Sequence, residues 1–222
     1  MKLKTLEDIG QVLYHATAFN PRHWVGDVDM SVSKEDLLQA VTELFALLRQ
    51  REVSYVLVGG IALLHYVEGR NTQDLDLLLA VNDLKRVPEI ALTYQDVYFG
   101  RGMYRGVQVD LLFTTNPLFQ RVKEEHVSWE KFLEVEVPIA TVEGLLLLKM
   151  YALPSLYRQG DFGRVSLYEN DIAMLLYAYK PDVERLLEEI SGYLGEGEQA
   201  ALKDIIREIQ SRVERFRRGL GG

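Results

Sequence analysis

The feature that most constrains this chain is a change of period near residue 140. Before it, short runs of β-branched and aromatic residues alternate with short helical patterns; after it, apolar residues recur at helical spacing only. A strand turns the same face every second residue and a helix about every 3.6, so neither pattern can serve as the other. The chain is therefore expected to be α+β: a small mixed β-sheet with flanking helices, followed by an all-helical C-terminal domain. The expected divisions are an N-terminal arm over 1–33, a sheet-bearing domain over 34–140 and a helical domain over 141–222.

Local signals give the element order. Leu6, Ile9, Val12 and Leu13 mark a short helix before an irregular stretch broken at Asn20-Pro21 and Gly26-Asp27. Ser33 with Lys34-Glu35-Asp36 opens a helix whose apolar face is Leu37, Val41, Leu44, Phe45 and Leu48. Val53–Val58 reads as a strand, Ile61–Val67 as a short helix and Asp74–Val81 as a second strand. Asp83–Leu92 suits a helix despite Pro88. Val97–Phe99 and Met103–Tyr104 read as strands around a Gly100-Arg101-Gly102 turn. A strand over Val107–Thr114, a helix over Leu118–His126 and a strand over Phe132–Ile139 follow. Helices are expected from Thr141 through Leu153, over Tyr168–Tyr179, over Asp182–Leu194 and over Glu196–Arg218, the last two split by Gly195 and Gly197.

Composition excludes several function classes. Of 222 residues, 48% are hydrophobic, too many for a disordered chain. The formal charge is −8, a poor balance for general binding of duplex nucleic acid, where phosphate neutralisation dominates. Cysteine is absent, so neither a disulfide framework nor a thiolate metal site can form. His15, His23, His65 and His126 lie too far apart for a short zinc motif. The opening residues carry acids where a signal peptide would be apolar, and no apolar run nears the roughly 20 residues of a membrane span. A cytoplasmic protein with no membrane association is expected.

The chemistry concentrates in three places. Gly59-Gly60 joins a strand to a helix, where glycine permits either a tight turn or a close approach of backbone N–H groups to a phosphate. Asp74 and Asp76 stand two apart on a strand, hence on one face, and repel each other unless water or a divalent cation intervenes. Asp110 is a single acid inside Val107–Phe113, costly in a core unless paired or metal-bound, and cheap if its strand is an edge. Should the two strands lie side by side, three carboxylates converge, enough to hold two metal ions.

Taken together, a hydrophobic residue, Gly59-Gly60, thirteen intervening residues, Asp74-Leu75-Asp76 and a third acid on a later strand resemble the signature of the polymerase-β-type nucleotidyltransferase superfamily. Arg70-Asn71-Thr72-Gln73-Asp74-Leu75-Asp76 most resembles the branch of abortive-infection and toxin–antitoxin nucleotidyltransferases. Lys149-Met150-Tyr151-Ala152-Leu153 is similar to a Lys-x-x-Ala-Leu helix of that branch. Asp171 stands where a later helix of the branch carries an Asp. One departure is plain: the branch often has a Lys/Arg-Asp-x-x-Asp cluster there, and this chain has Asn170-Asp171 with Met174.

The resemblance spans about residues 38–180 and implies a magnesium-dependent nucleotidyltransferase. Such an enzyme moves a nucleoside monophosphate from an NTP, ATP among them, to an acceptor hydroxyl and releases pyrophosphate. By that resemblance Asp74, Asp76 and Asp110 would bind two Mg2+ ions, with Mn2+ as a substitute, and Asp110 would help deprotonate the acceptor. Gly59 and Gly60 would hold the triphosphate, Arg70 and Thr72 would steady the loop or the phosphates, Lys149 would contact the phosphates, and Asp171 would orient groups near the nucleotide or Lys149. The acceptor is left open among tRNA, a protein and a small molecule. The alternative is a non-catalytic nucleotide- or protein-binding regulatory member, one half of a toxin–antitoxin or similar pair with a cognate partner protein.

Other signals have plainer readings beside the functional ones. Lys149, alone in an apolar helix, can also snorkel to water. Arg207, Arg212, Arg215, Arg217 and Arg218 suit either a phosphate surface or a solvated helix end favoured by the dipole. Asp161-Phe162-Gly163 spells a kinase triplet without the Gly-rich loop or His-Arg-Asp that would give it meaning.

Overall fold

A computed structural model describes residues 5–18, 34–69, 72, 74–132 and 135–219. The chain divides into two compact units, Met1–Ala140 and Thr141–Gly222. The architecture is α+β.

The first unit opens with helix α1 (Leu6–Ala18) and helix α2 (Lys34–Gln50). At the start of α1, Thr5 and Asp8 cap each other: the Asp8 amide donates to Thr5 Oγ1 and the Thr5 amide to Asp8 Oδ2, both at 2.9 Å. Leu6, Ile9 and Leu13 are buried on α1, as are Leu37, Val41, Leu44, Phe45 and Leu48 on α2, and the two helices pack together. Helix α1 thus contributes to the core of the first unit.

The sheet has seven strands. β1 is Tyr55–Val58, β2 Asp74–Leu79, β3 Ala91–Gln95, β4 Phe99–Tyr104, β5 Val107–Phe113, β6 Val127–Phe132 and β7 Val135–Ala140. Their spatial order is β3-β4-β5-β2-β1-β7-β6. β2 lies at the centre, antiparallel to β1 and parallel to β5; β1 pairs with β7 in parallel, and the remaining neighbours are antiparallel. Helix α3 (Gly59–Tyr66) follows β1 without a linker, and helix α4 (Pro117–Glu125) follows β5. Every residue of β1, and Leu75, Leu77, Leu78 and Leu79 of β2, is buried, which explains why both read as apolar runs.

Two expectations fail between residues 83 and 104. No α-helix forms over Asp83–Leu92. A short 3-10 turn spans Val81–Arg86 and then stops, because Pro88 drives Val87 out of helical geometry, to φ −130° and ψ 59°. Ala91–Gln95 becomes an edge strand instead. Nor is Gly100-Arg101-Gly102 a turn, for it runs through the middle of β4. The real turn is at Asp96, whose Oδ1 accepts from the Tyr98 and Phe99 amides at 2.7 and 2.8 Å. The glycines answer crowding: a Cβ would come within 2.8 Å of Phe113 Cζ at Gly100 and of Ile90 Cγ2 at Gly102. The strand expected over 132–139 is found as β7, and β6 precedes it as a strand that was not expected.

The second unit is helical: α5 (Val142–Gln159), α6 (Phe162–Tyr179), α7 (Val183–Ser191) and α8 (Glu196–Gly219). Thr141, Asp161 and Asp182 cap α5, α6 and α7 by accepting from the amides of Gly144, Arg164 and Arg185. The Asp161-Phe162-Gly163 triplet is thereby a helix start, and α6 begins six residues before the expected Tyr168. On α8, Leu202, Ile206, Ile209 and Val213 form the buried stripe. Among the described residues no helix is long and apolar enough to cross a membrane.

Candidate metal centre

Strand register assembles the acids. Val58 pairs with Asp76, Asp76 with Asp110, and Asp110 with Arg101, so one row crosses β1, β2, β5 and β4. Asp74 pairs with Gln108, two residues along on the same face. Asp74, Asp76 and Asp110 each offer a carboxylate oxygen, and these oxygens lie within 4.8 Å of one another. Asp74 and Asp76 are half-buried; Asp110 is buried. Hard oxygen donors at this spacing suit Mg2+ or Mn2+.

The Gly-Gly step serves the acids directly. Gly59 has φ +67°, and a Cβ there would lie 1.8 Å from Asp76 Oδ2. A Cβ at Gly60 would lie 2.5 Å from Thr72 Oγ1. The Gly60 amide, in the first turn of α3, donates to Asp76 Oδ2 at 3.3 Å, where the helix dipole also favours a negative charge. Thr72 Oγ1 donates to Asp74 Oδ1 at 3.0 Å. The close approach that glycine permits is therefore used here by the side chains of Asp76 and Thr72. Arg70, expected at the mouth, lies outside the described residues.

Asp110 has a partner that the sequence reading missed. Arg101 grips it with a two-pronged fork: Nε donates to Oδ1 at 2.7 Å and Nη2 to Oδ2 at 2.6 Å. Gln108 Nε2 adds a longer donation to Oδ1 at 3.3 Å. The Asp110 side chain is 8% exposed and that of Arg101 37%, so the acid is the buried partner of the pair. Bonding to Asp110, with Asp74 and Asp76 adding their fields, pushes the Arg101 pKa above its ordinary value. A signal for this pair existed. Arg105 and Gly106 both have positive φ, as a two-residue hairpin turn requires, and such a turn pairs Tyr104 with Val107 and hence Arg101 with Asp110.

In the second unit, Lys149 on α5 and Asp171 on α6 meet. Lys149 Nζ lies 2.7 Å from Asp171 Oδ2 and 4.6 Å from the centre of the Tyr168 ring. Their side chains are 6% and 0% exposed, so Lys149 does not snorkel to water. The arginine-rich tail mostly makes local contacts. Arg212 faces Glu169, Arg207 faces Asp204 and Arg218 faces Glu214, while Arg217 donates to the carbonyls of Leu176 and Tyr177 at the end of α6. Beside it, Tyr157 donates to Glu169, which pushes the phenol up to about 12.

No protein-family model matches the chain, and no curated protein sequence matches it. Solved structures do. An antigenic nucleotidyltransferase-like protein from Paracoccidioides brasiliensis superposes with a TM-score of 0.53 at 17% identity, over 82% of this chain and 94% of that one. A proposed nucleotidyltransferase from Thermotoga maritima gives a TM-score of 0.40 at 13% identity, over 61% of this chain and 94% of its own. The fold is that of a nucleotidyltransferase-like protein.

Proposed function

We propose that this chain is a magnesium-dependent nucleotidyltransferase that moves a nucleoside monophosphate from an NTP to an acceptor hydroxyl. The observation that carries the reading is the convergence of Asp74, Asp76 and Asp110 on one face of the sheet, their oxygens within 4.8 Å. Like charges so close are costly without a cation, and three oxygen donors are the chemistry a magnesium site needs.

In this reading Asp74, Asp76 and Asp110 hold the metal ions. Divalent ions held by these carboxylates would supply a lowered pKa at the attacking hydroxyl and neutralisation of charge on the phosphates. Thr72 orients Asp74, and the Gly59-Gly60 backbone seats Asp76 against the first turn of α3. The acceptor oxygen forms a bond to the α-phosphorus, the bond from that phosphorus to the β-phosphate bridging oxygen breaks, and pyrophosphate leaves with its electron pair. Asp110 takes the acceptor's proton. Arg70 and Thr72 would steady the loop or the phosphates, Lys149 would contact the phosphates, and Asp171 would orient groups near the nucleotide or Lys149. The stretches Arg70–Asp76 and Lys149–Leu153 support a place in the abortive-infection or toxin–antitoxin branch, working with a cognate partner protein.

The test is calorimetric titration of each of the four NTPs, with and without Mg2+, into wild type and Asp76→Asn. Magnesium-dependent binding that the substitution weakens supports the proposal. A folded wild type that binds no NTP under either condition counts against it and favours the regulatory alternative.

A further inference from the structure

Among the described residues, Arg101 is the cation nearest the Asp110 carboxylate. Its fork engages both Asp110 oxygens, at 2.7 and 2.6 Å, and sets a positive charge beside them, so a metal ion reaching for that carboxylate competes with it. It is also the more exposed member of the pair, its side chain 37% exposed against 8% for Asp110. Its backbone is held in register between β3 and β5, which leaves the side chain as the part able to move. A phosphate offers the same two-oxygen geometry as a carboxylate, so a guanidinium can exchange one for the other.

We propose that Arg101 is a tethered counter-cation that keeps Asp110 out of metal coordination until a nucleoside triphosphate draws the guanidinium onto its phosphate oxygens. This rests on the metal-centre reading above. Asp74 and Asp76 then form the metal site of the nucleotide-free protein, and Asp110 joins only when substrate is present. Coupling of this kind is reciprocal: nucleotide strengthens metal binding at Asp110, and metal at Asp110 strengthens nucleotide binding. Such an arrangement ties assembly of the full metal centre to the arrival of the triphosphate. Arg101 is thus a positioning residue for Asp110 before it becomes a contact to substrate.

The experiment titrates Mn2+ into nucleotide-free protein and follows free Mn2+ by electron paramagnetic resonance. In wild type, Asp110→Asn is expected to leave Mn2+ affinity within about twofold, because Arg101 already withholds that carboxylate. Arg101→Met is expected to raise affinity at least tenfold, and adding Asp110→Asn to it is expected to erase the gain. Arg101→Lys keeps the charge without the fork; it is expected to gain less, and it serves if Arg101→Met does not fold. In a separate measurement, saturating magnesium–ATP is expected to move the Arg101 Nε–H resonance, identified by its loss in Arg101→Met. The proposal is overturned if Arg101→Met binds Mn2+ no more tightly than wild type. It is equally overturned if Asp110→Asn alone costs wild type its Mn2+ affinity, or if the Nε–H resonance stays put at saturation. Mn2+ binding to neither wild type nor any Arg101 variant, in folded proteins, would instead remove the metal-centre reading on which it stands.

Discussion

The two units each bring charges together away from bulk water, and they do so in opposite ways. In the second unit one ammonium meets one carboxylate at 2.7 Å, the side chains 6% and 0% exposed, with the Tyr168 ring beside the cation. In the first, three carboxylates crowd within 4.8 Å and a partly exposed guanidinium forks the most buried of them. The difference is one of balance and access. In a sealed one-to-one pair, removing either partner leaves an uncompensated charge behind. A cluster of three acids behind an accessible cation can exchange that cation for another. Charge in the one case holds two helices together, and in the other it prepares a site.

The comparison can be broken most severely at the sealed pair. Lys149→Met strands the Asp171 carboxylate and is expected to cost about 3–5 kcal/mol of stability, read from the urea midpoint. Lys149→Met with Asp171→Leu is expected to recover most of that. On the proposed phosphate contact of Lys149, worth about 1.5–3 kcal/mol, it should nonetheless bind NTP roughly ten- to a hundredfold more weakly. Unchanged NTP affinity in a stable double variant would leave the pair a purely structural role.

Next in size is the open cluster. Asp76→Asn removes one of three like charges, so the unfolding midpoint of the metal-free protein should hold or rise. Nucleotidyl transfer should fall by roughly a hundredfold or more, about 3 kcal/mol, measured as pyrophosphate release. A loss of stability on the scale of the Lys149 variant would erase the contrast between the two sites.

Gly59→Ala sharpens the contrast by moving an acid without deleting it. Positive φ and a Cβ 1.8 Å from Asp76 Oδ2 together predict a loss of about 2 kcal/mol, and weaker Mn2+ binding as Asp76 is pushed aside. The matching change at Gly160, also at positive φ but with open space around it, should cost about 1 kcal/mol and leave Mn2+ binding alone.

The smallest effect is expected at Asp96, in the turn that aligns β3 with β4. Backbone donations from Tyr98 and Phe99 hold its carboxyl below the usual range. Its contribution is therefore present above the ordinary carboxyl pKa and is lost as pH falls through the lowered one. Asp96→Ala should cost about 1 kcal/mol near neutrality, and the gap to wild type should close in acid, seen in urea melts across pH.

Much of this was legible because the relevant signals are local. Strands β1, β2 and β5 are apolar runs bounded by turns, and Thr141 and Asp182 cap α5 and α7 at their expected starts. Asp74 and Asp76 had to share a face by the period of a strand. Between 83 and 104 local reading failed, since Pro88 outweighs the helical pattern around it and the β4 glycines answer to Phe113 and Ile90, which are distant in sequence or across a turn.

From the sequence by itself came the α+β class, the change of period near residue 140, and a set of acids with the right spacing to be a metal centre. All depend on periodicity or on residues within one element. The tertiary structure alone decided which strands are neighbours, and hence that Asp76 stands beside Asp110 and Asp110 beside Arg101. It also decided that Gly59 makes room for Asp76 and that Lys149 reaches Asp171. Each is a contact between elements, set by sheet order and helix packing, and a linear pattern carries no term for the distance between its parts.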